Sequence, residues 1–237
     1  MSKESKGSSV GKSIVTLMLM VIALIFVGCE KDPTRSDHAG EAEGDWVDLG
    51  LPSGLMWATR NIGAASPEDY GDYFAWGETQ TKSVYDWSTY RYVTIDGESG
   101  TLTKYNTSSS HGEVDNLTTL QPSDDAATAN WGGGARTPTI AEWDELMANT
   151  SSQWTTRNGV NGRLLTAANG NSLFLPAAGD RGDSSLDDAG SIGNYWSSSL
   201  YTGDPGGAWN FCFDSDYQLV GYYYRGSGLS VRAVRQN

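Results

Sequence analysis

Past Val27 the chain has no long apolar run, and Gly, Ser, Asp and Asn interrupt it every few residues. Such a pattern predicts short strands separated by substantial loops. Beside Cys29 the only other cysteine is Cys212, so no disulfide within the domain can hold those loops. Stability has to come from a packed core. Residues 45–237 are numerous enough to bury one, and nine Trp with twelve Tyr supply large apolar area for it.

Local patterns place the expected elements. Trp46–Leu49, a turn at Gly50-Leu51-Pro52-Ser53-Gly54 and Leu55–Ala58 read as an opening hairpin, and Tyr73-Phe74-Ala75-Trp76 as a short strand closed by Gly77. Thr139-Ile140-Ala141-Glu142 fits a capping box, and Ile140, Trp143, Leu146 and Met147 fall on one helical face that Asn149 ends. This spacing makes Trp143 a core residue. A second helix is expected near Gly63–Tyr70, and a long surface excursion from Glu98 to Gly134. Leu173-Phe174-Leu175, Tyr195-Trp196-Ser197, Ala208–Phe211 and Leu229–Arg232 read as later strands. The expected class is α+β, with short antiparallel strands, one or two helices and long loops.

The first residues predict a lipoprotein leader. Lys3, Lys6 and Lys12 precede an uncharged apolar run from Ile14 to Val27. As a helix that run would span roughly 21 Å at about 1.5 Å per residue, short of a bilayer core. The length suits a signal peptide better than an uncleaved anchor. Phe26-Val27-Gly28-Cys29 has the small-residue approach that lipoprotein signal peptidases accept, with Phe where Leu is usual. Residues 1–28 are thus the expected leader and Cys29 the lipidation site. The polar segment 29–44 is a tether too poor in apolar surface to order itself. Within it, Glu30-Lys31-Asp32 resembles the acidic export signal of surface lipoproteins in Bacteroides-like bacteria, the alternative being a solvated charge run. The expected location is the outer membrane of the cell envelope, facing outward. Net charge is −13; the leader's three Lys and one Glu carry +2, which leaves about −15 on the remainder. Such a surface repels phosphate backbones, so nucleic acid is not an expected partner.

Longer motifs carry a family resemblance over nearly all of residues 46–234. Val47-Asp48-Leu49-Gly50-Leu51-Pro52-Ser53-Gly54 with Trp57-Ala58, then Tyr70-Gly71-Asp72-Tyr73-Phe74-Ala75-Trp76-Gly77-Glu78-Thr79, resemble the Fibrobacter succinogenes major paralogous domain of bacterial lipoproteins. Arg136-Thr137-Pro138-Thr139 with Glu142-Trp143, Leu175-Pro176-Ala177-Ala178-Gly179, Tyr195-Trp196-Ser197-Ser198 and Gly228–Arg232 continue the likeness. The resemblance implies a C-type-lectin-like fold related to that of formylglycine-generating enzymes.

The final segment also resembles the variable proteins of diversity-generating retroelements. Their mutated Asn codons yield Tyr, Asp, Ser, Gly, Cys and Phe at scattered positions of the last strands and loops. Tyr201, Gly203, Asp204, Gly206, Gly207, Cys212, Asp214, Asp216, Tyr217, Gly221–Tyr224, Gly226 and Ser227 belong to that set. They alternate with a frame of Trp209, Phe211, Phe213, Val220, Arg225 and Ser230-Val231-Arg232. Undiversified members of the larger family also end in Tyr-rich strands. Independently of any family, Tyr, Gly, Ser and Asp form the palette of antibody paratopes, in which Tyr gives rigid amphipathic area at small entropic cost.

Chemistry is less well supplied. The copper and oxygen chemistry of formylglycine-generating enzymes needs cysteines that this chain lacks, with Cys29 assigned to lipid and Cys212 alone. His38 lies in the tether and His111 in a polar loop, so neither completes a Ser/His/Asp or zinc constellation, and no catalytic residue, metal or cofactor is expected. Asp180, Asp183, Asp187, Asp188, Asp124 and Asp125 could form a calcium site, but the Glu-Pro-Asn and Trp-Asn-Asp sugar motifs of C-type lectins are absent and solvated loops explain the acids better. Arg181-Gly182-Asp183 spells the integrin tripeptide, which scaffold and coincidence explain.

The expected function is therefore binding of a macromolecular ligand, a protein or glycan on another cell, phage or host surface, while the lipid on Cys29 meets the membrane. The binding segment is 199–228 within a domain spanning 45–237. Tyr201, Asp204, Asp214, Asp216, Tyr217, Tyr222, Tyr223 and Tyr224 are expected at the site. The alternative is a carbohydrate-binding module of a cell-envelope lipoprotein. A protein-binding face would be broad and flat, whereas a glycan site would gather one or two aromatics beside acids in a groove.

Overall fold

The computed structural model describes residues 45–97 and 99–237. The expected leader, tether and lipidation site at Cys29 lie outside the described residues. The opening hairpin forms where the Gly-Leu-Pro-Ser-Gly turn predicts it. Strand β1 (Trp46–Asp48) pairs antiparallel with β2 (Met56–Ala58), placing Val47 opposite Trp57. Then come β3 (Tyr73–Phe74) and the β4 (Val93–Asp96)–β5 (Ser99–Leu102) hairpin, followed by helices α1 (Ala126–Trp131) and α2 (Ile140–Asn149). A meander of β6 (Thr150–Arg157), β7 (Val160–Ala167) and β8 (Ser172–Pro176) precedes the small β9 (Asp180–Gly182)–β10 (Ser185–Asp187) ribbon. The chain ends with β11 (Gly193–Leu200), β12 (Gly207–Phe213), β13 (Gln218–Tyr224), β14 (Leu229–Ser230) and β15 (Val234–Arg235). Among the described residues the protein is mostly sheet with two short α-helices, an α+β arrangement of short strands. None of those helices is long and apolar enough to cross a membrane.

The central sheet has the order β13-β12-β11-β14-β3. Its pairings are antiparallel except β11 with β14, which run parallel at Tyr195 and Ser230. The antiparallel expectation is corrected at that one pair. On one face Tyr195, Phe211 and Phe213 pack with Trp57 and Trp143 into a fully buried cluster. On the other, Trp196 and Ala208 join Trp76, Tyr105 and Leu229 in a second cluster. Period-2 alternation thus feeds a core on each side of one sheet.

Helix α2 starts where its capping box predicts. Glu142 N donates to Thr139 Oγ1 at 3.3 Å, and the Glu142 carboxylate accepts from Thr139 N at 2.8 Å. The ring of Trp143 stacks on Phe211 with centroids 4.8 Å apart, and its Nε1 donates to Trp196 O at 3.3 Å.

Two expectations are corrected here. No helix forms over Gly63–Tyr70. Asp69 Oδ2 instead accepts from Ser66 N at 2.9 Å and Ala65 N at 3.2 Å, a local bond that competes with helical pairing. Gly63 and Gly71 at its ends hold φ of +80° and +73°, and a Cβ on either would collide with Asp72 or the Ile62 carbonyl. Nor are residues 99–134 a simple surface excursion, for they contain β5 and α1, and Tyr105, Asn106, Asp124 and Asp125 are buried. Asp124 accepts from the Tyr105 hydroxyl at 2.6 Å and from Lys104 Nζ at 2.5 Å. Asp125 caps α1 and accepts from Thr137 N and Oγ1 at 2.9 and 2.8 Å.

Candidate ligand-binding face

The Tyr-rich segment is the β12–β13 hairpin and its approaches. Its turn is set by Asp214, whose Oδ1 accepts from Asp216 N at 2.7 Å and Tyr217 N at 3.0 Å, an Asx turn. The Tyr217 amide and its neighbour Asp216 hold that carboxyl below the usual aspartate range. Arg163 on β7 clamps the same turn, donating from Nε to Asp214 O at 3.1 Å and from Nη2 to Tyr217 O at 2.9 Å. Asp214 is therefore engaged in shaping the turn, while Asp216 and Tyr217 stand exposed beside it.

Register then decides which tyrosines meet solvent. Trp209 lies opposite Tyr222, Phe211 opposite Val220 and Ala208 opposite Tyr223. Tyr222 and Tyr224 consequently share the face of Phe211 and Phe213 but lie beyond the buried cluster, at 54% and 63% exposure. Tyr201 stacks on Tyr222 with centroids 4.2 Å and planes 6° apart, and Trp209 meets Tyr201 edge-on at 5.0 Å. Trp209, expected in the buried frame, is only half-buried: it lies outside both buried clusters, with its ring against Tyr201.

Tyr223 projects from the other face toward the core. Its hydroxyl donates to Asp180 Oδ2 at 2.9 Å, while Asn194 Nδ2 donates to Asp180 Oδ1 at 3.0 Å and Asn210 Nδ2 to Asn194 Oδ1 at 3.1 Å. Burial raises the Asp180 carboxyl above its usual range, with Asp188 and Asp187 adding to the shift. The network floors an open hollow of about 450 Å³ along Tyr217, Leu219, Gly221 and Tyr223, with Cys212 and Asp188 in its wall. Burial likewise pushes the Cys212 thiol up.

A second cleft, of about 370 Å³, lies between the β4–β5 hairpin and the end of β13. Trp87, Val93, Ile95 and Tyr224 line it, with Asp204 and His111 at 3.6 Å from one another on its rim. Arg225, fully buried just past Tyr224, fixes this end of the hairpin. It donates to the Tyr90 hydroxyl at 2.8 Å and to the carbonyls of Pro205, Lys104 and Tyr105 at 2.8, 2.9 and 3.1 Å.

The eight expected site residues thus fall into three places. Tyr201, Asp204, Tyr222 and Tyr224 gather at the Arg225 end. Asp214, Asp216 and Tyr217 occupy the turn, about 20 Å away at some 3.3 Å per residue of β13. Tyr223 faces the hollow. Sequence reasoning missed Leu219, Trp87, Ile95 and the meeting of His111 with Asp204. Leu219 was findable as the strand neighbour that must face away from the frame residue Val220, the others only through tertiary contact. The positions matching the retroelement set are exposed or half-buried except Gly207 and Gly226, while Phe211, Phe213, Arg225 and Ser230-Val231-Arg232 are buried.

The acids weighed for calcium are spread over separate roles, and among the described residues no three His, Cys, Asp or Glu side chains converge as a metal-binding group. Arg181 of the integrin-like tripeptide is part of β9; its N–H donates to Gly228 O at 2.8 Å and its guanidinium lies over Tyr73. Comparison with protein-family models, curated proteins and solved structures found no match to this chain.

Proposed function

We propose that the chain is a surface-exposed lipoprotein whose C-type-lectin-like domain binds a macromolecular ligand through the β12–β13 hairpin. One observation carries this reading. Of the seven large hydrophobic side chains exposed among the described residues, Tyr217, Leu219, Tyr222 and Tyr224 fall within eight positions of sequence. Clustered aromatic exposure of this kind marks interaction sites, whereas scattered exposure is ordinary. The buried frame beneath it, Phe211, Phe213 and Arg225, supplies the rigidity that an interface anchor needs. The split between buried frame and exposed variable-type residues also supports diversification of residues 199–228.

A second reading rests on the cleft of Trp87 and Tyr224. Two aromatics beside Asp204 and His111 in a groove are what stacking of a sugar ring requires, so a carbohydrate-binding module is the alternative.

The test is an array of cell-surface proteins, phage particles and glycans probed with the full chain and with a Tyr222→Ser/Tyr224→Ser variant. Binding to a macromolecule that the variant loses at unchanged melting temperature is the expected result. Equal binding by both proteins overturns the placement, and loss of glycan binding alone selects the carbohydrate reading. Membrane anchoring is tested separately. Cys29→Ser should leave precursor of unprocessed mass that no longer partitions into detergent, and normal processing of that variant would sink the lipoprotein assignment.

A further inference from the structure

Strand β13 is the outermost strand of the central sheet, paired on one side only. The hydrogen bond from Asp214 N to Tyr217 O sets the phase of the ladder, and Arg225 N to Gly206 O at 3.1 Å agrees with it at the other end. In an antiparallel pair such bonded positions alternate, so Leu219, Gly221 and Tyr223 bond to β12. Gln218, Val220 and Tyr222 therefore aim their N–H and C=O groups outward, away from it.

Open edges are normally blunted by Lys, Pro, a bulge or a covering element. The sequence Gln218-Leu219-Val220-Gly221-Tyr222-Tyr223-Tyr224 has no charge and no proline, and keeps unbroken register with β12. Leu219, Tyr222 and Tyr224 are exposed along it. Beside it lies the 450 Å³ hollow, and Gly221 leaves a gap in the side-chain row there. A Cβ at Gly221 would stand 3.3 Å from Asn210 Oδ1, so a side chain at that position would crowd the opening. Glycine within a strand commonly marks close approach of another backbone. Asp180 and Asp188 line the hollow, and no Lys or Arg does.

We infer that an extended segment of a partner protein adds to β13 as a sixth strand, placing Lys or Arg side chains in the hollow beside Asp180 and Asp188. The inference rests on the macromolecule-binding reading and gives its mode. Backbone pairing with Gln218, Val220 and Tyr222 supplies the docking, and alternate side chains of the segment supply selectivity. One row enters the acidic hollow while the other lies against Tyr222 and Tyr224. The occupant is a basic partner rather than a second copy, because a net charge of −13 repels itself and β13 has no cation to offer the hollow.

The full chain is titrated with the synthetic peptide Lys-Val-Lys-Val-Lys-Val-Lys, with its Glu-for-Lys counterpart, and with a form N-methylated at alternate residues. Amide hydrogen exchange at Val220 and Tyr222 is followed with and without peptide. The Lys peptide should bind and slow both amides about tenfold or more, and the Glu and N-methylated peptides should bind at least about tenfold more weakly. Val220→Pro, which removes an outward N–H without touching the β12 ladder, should weaken the Lys peptide similarly. The N-methylated peptide keeps the test independent of how that variant folds. Failure of the Lys peptide to bind, equal binding of the Glu peptide, or binding with both amides unprotected overturns strand addition. The array with Tyr222→Ser/Tyr224→Ser then judges the wider binding reading by itself.

Discussion

Tyr201 and Tyr222 lie face to face, 4.2 Å between centroids, although they are twenty-one positions apart in the chain and belong to different segments. Trp209, opposite Tyr222 on the neighbouring strand, meets the edge of Tyr201 and completes a three-ring platform. The platform lies outside both buried clusters, so its loss should cost affinity more than stability. Tyr222→Ala is expected to weaken ligand binding by about 2 kcal/mol or more, as for an aromatic anchor, and to change stability by less than about 1 kcal/mol. Binding assays beside thermal melts separate the two. A variant that melts much earlier while binding normally would place Tyr222 in the core.

Its neighbour Tyr223 should behave in the opposite way. The hydroxyl is one of two side-chain donors to the buried Asp180 carboxylate. Tyr223→Phe keeps the ring and removes that donor, so it should lower stability by about 1–3 kcal/mol, the cost of an under-satisfied buried acceptor. The same change should raise the Asp180 carboxyl further, since the Tyr223 hydrogen bond lowers it. Denaturant melts and carboxyl titration by NMR read these effects. Unaltered stability with lost ligand affinity would return Tyr223 to the binding face.

That contrast shows how far the sequence carries. Alternation alone says that Tyr222, Tyr223 and Tyr224 cannot share one face. Which of them faces solvent depends on the phase of the hairpin, set by the Asp214 turn and by Arg163 reaching it from β7. The capping box at Thr139 and the face of Trp143 were legible because both are local. The β6–β7 hairpin was not read, since Thr150–Arg157 is mostly polar, yet Asn158-Gly159, with φ of 49° and 83°, is a strong two-residue turn signal. The pairing of His111 with Asp204 spans ninety-three positions and has no local mark.

Trp143 tests the core on the helix side of the sheet. It is fully buried, stacks on Phe211, and has Trp57 at 4.8 Å and Tyr195 at 6.0 Å. Trp143→Ala should destabilise by about 3–5 kcal/mol, because the rings around it are held by their own strands and cannot collapse into the space. Chemical denaturation checks it. Wild-type stability together with lost ligand binding would mean that this helix face belongs to the site.

Acid should reach the fold through the start of α2. Burial opposes the charge on Glu142, but Arg136 and the Thr139 amide outweigh it and hold the carboxyl below its ordinary 4.5. Arg136 meets it in a fork, Nη1 to Oε2 at 2.7 Å and Nη2 to Oε1 at 2.5 Å. A carboxyl depressed in the folded state contributes stability above its unfolded value and loses it as the pH falls through the folded one. Glu142→Gln should therefore be less stable than wild type at pH 7, by about 1 kcal/mol for a partly exposed bidentate pair. As the pH falls below 4.5 the unfolded chain takes up its proton first, and as it goes on through the lower folded value Glu142 is protonated in the wild type as well and the two melting curves should converge. Other carboxylates titrate in both proteins and cancel in the difference. A stability gap of the same size at pH 7 and pH 3 would show that Glu142 acts through packing and not through its charge.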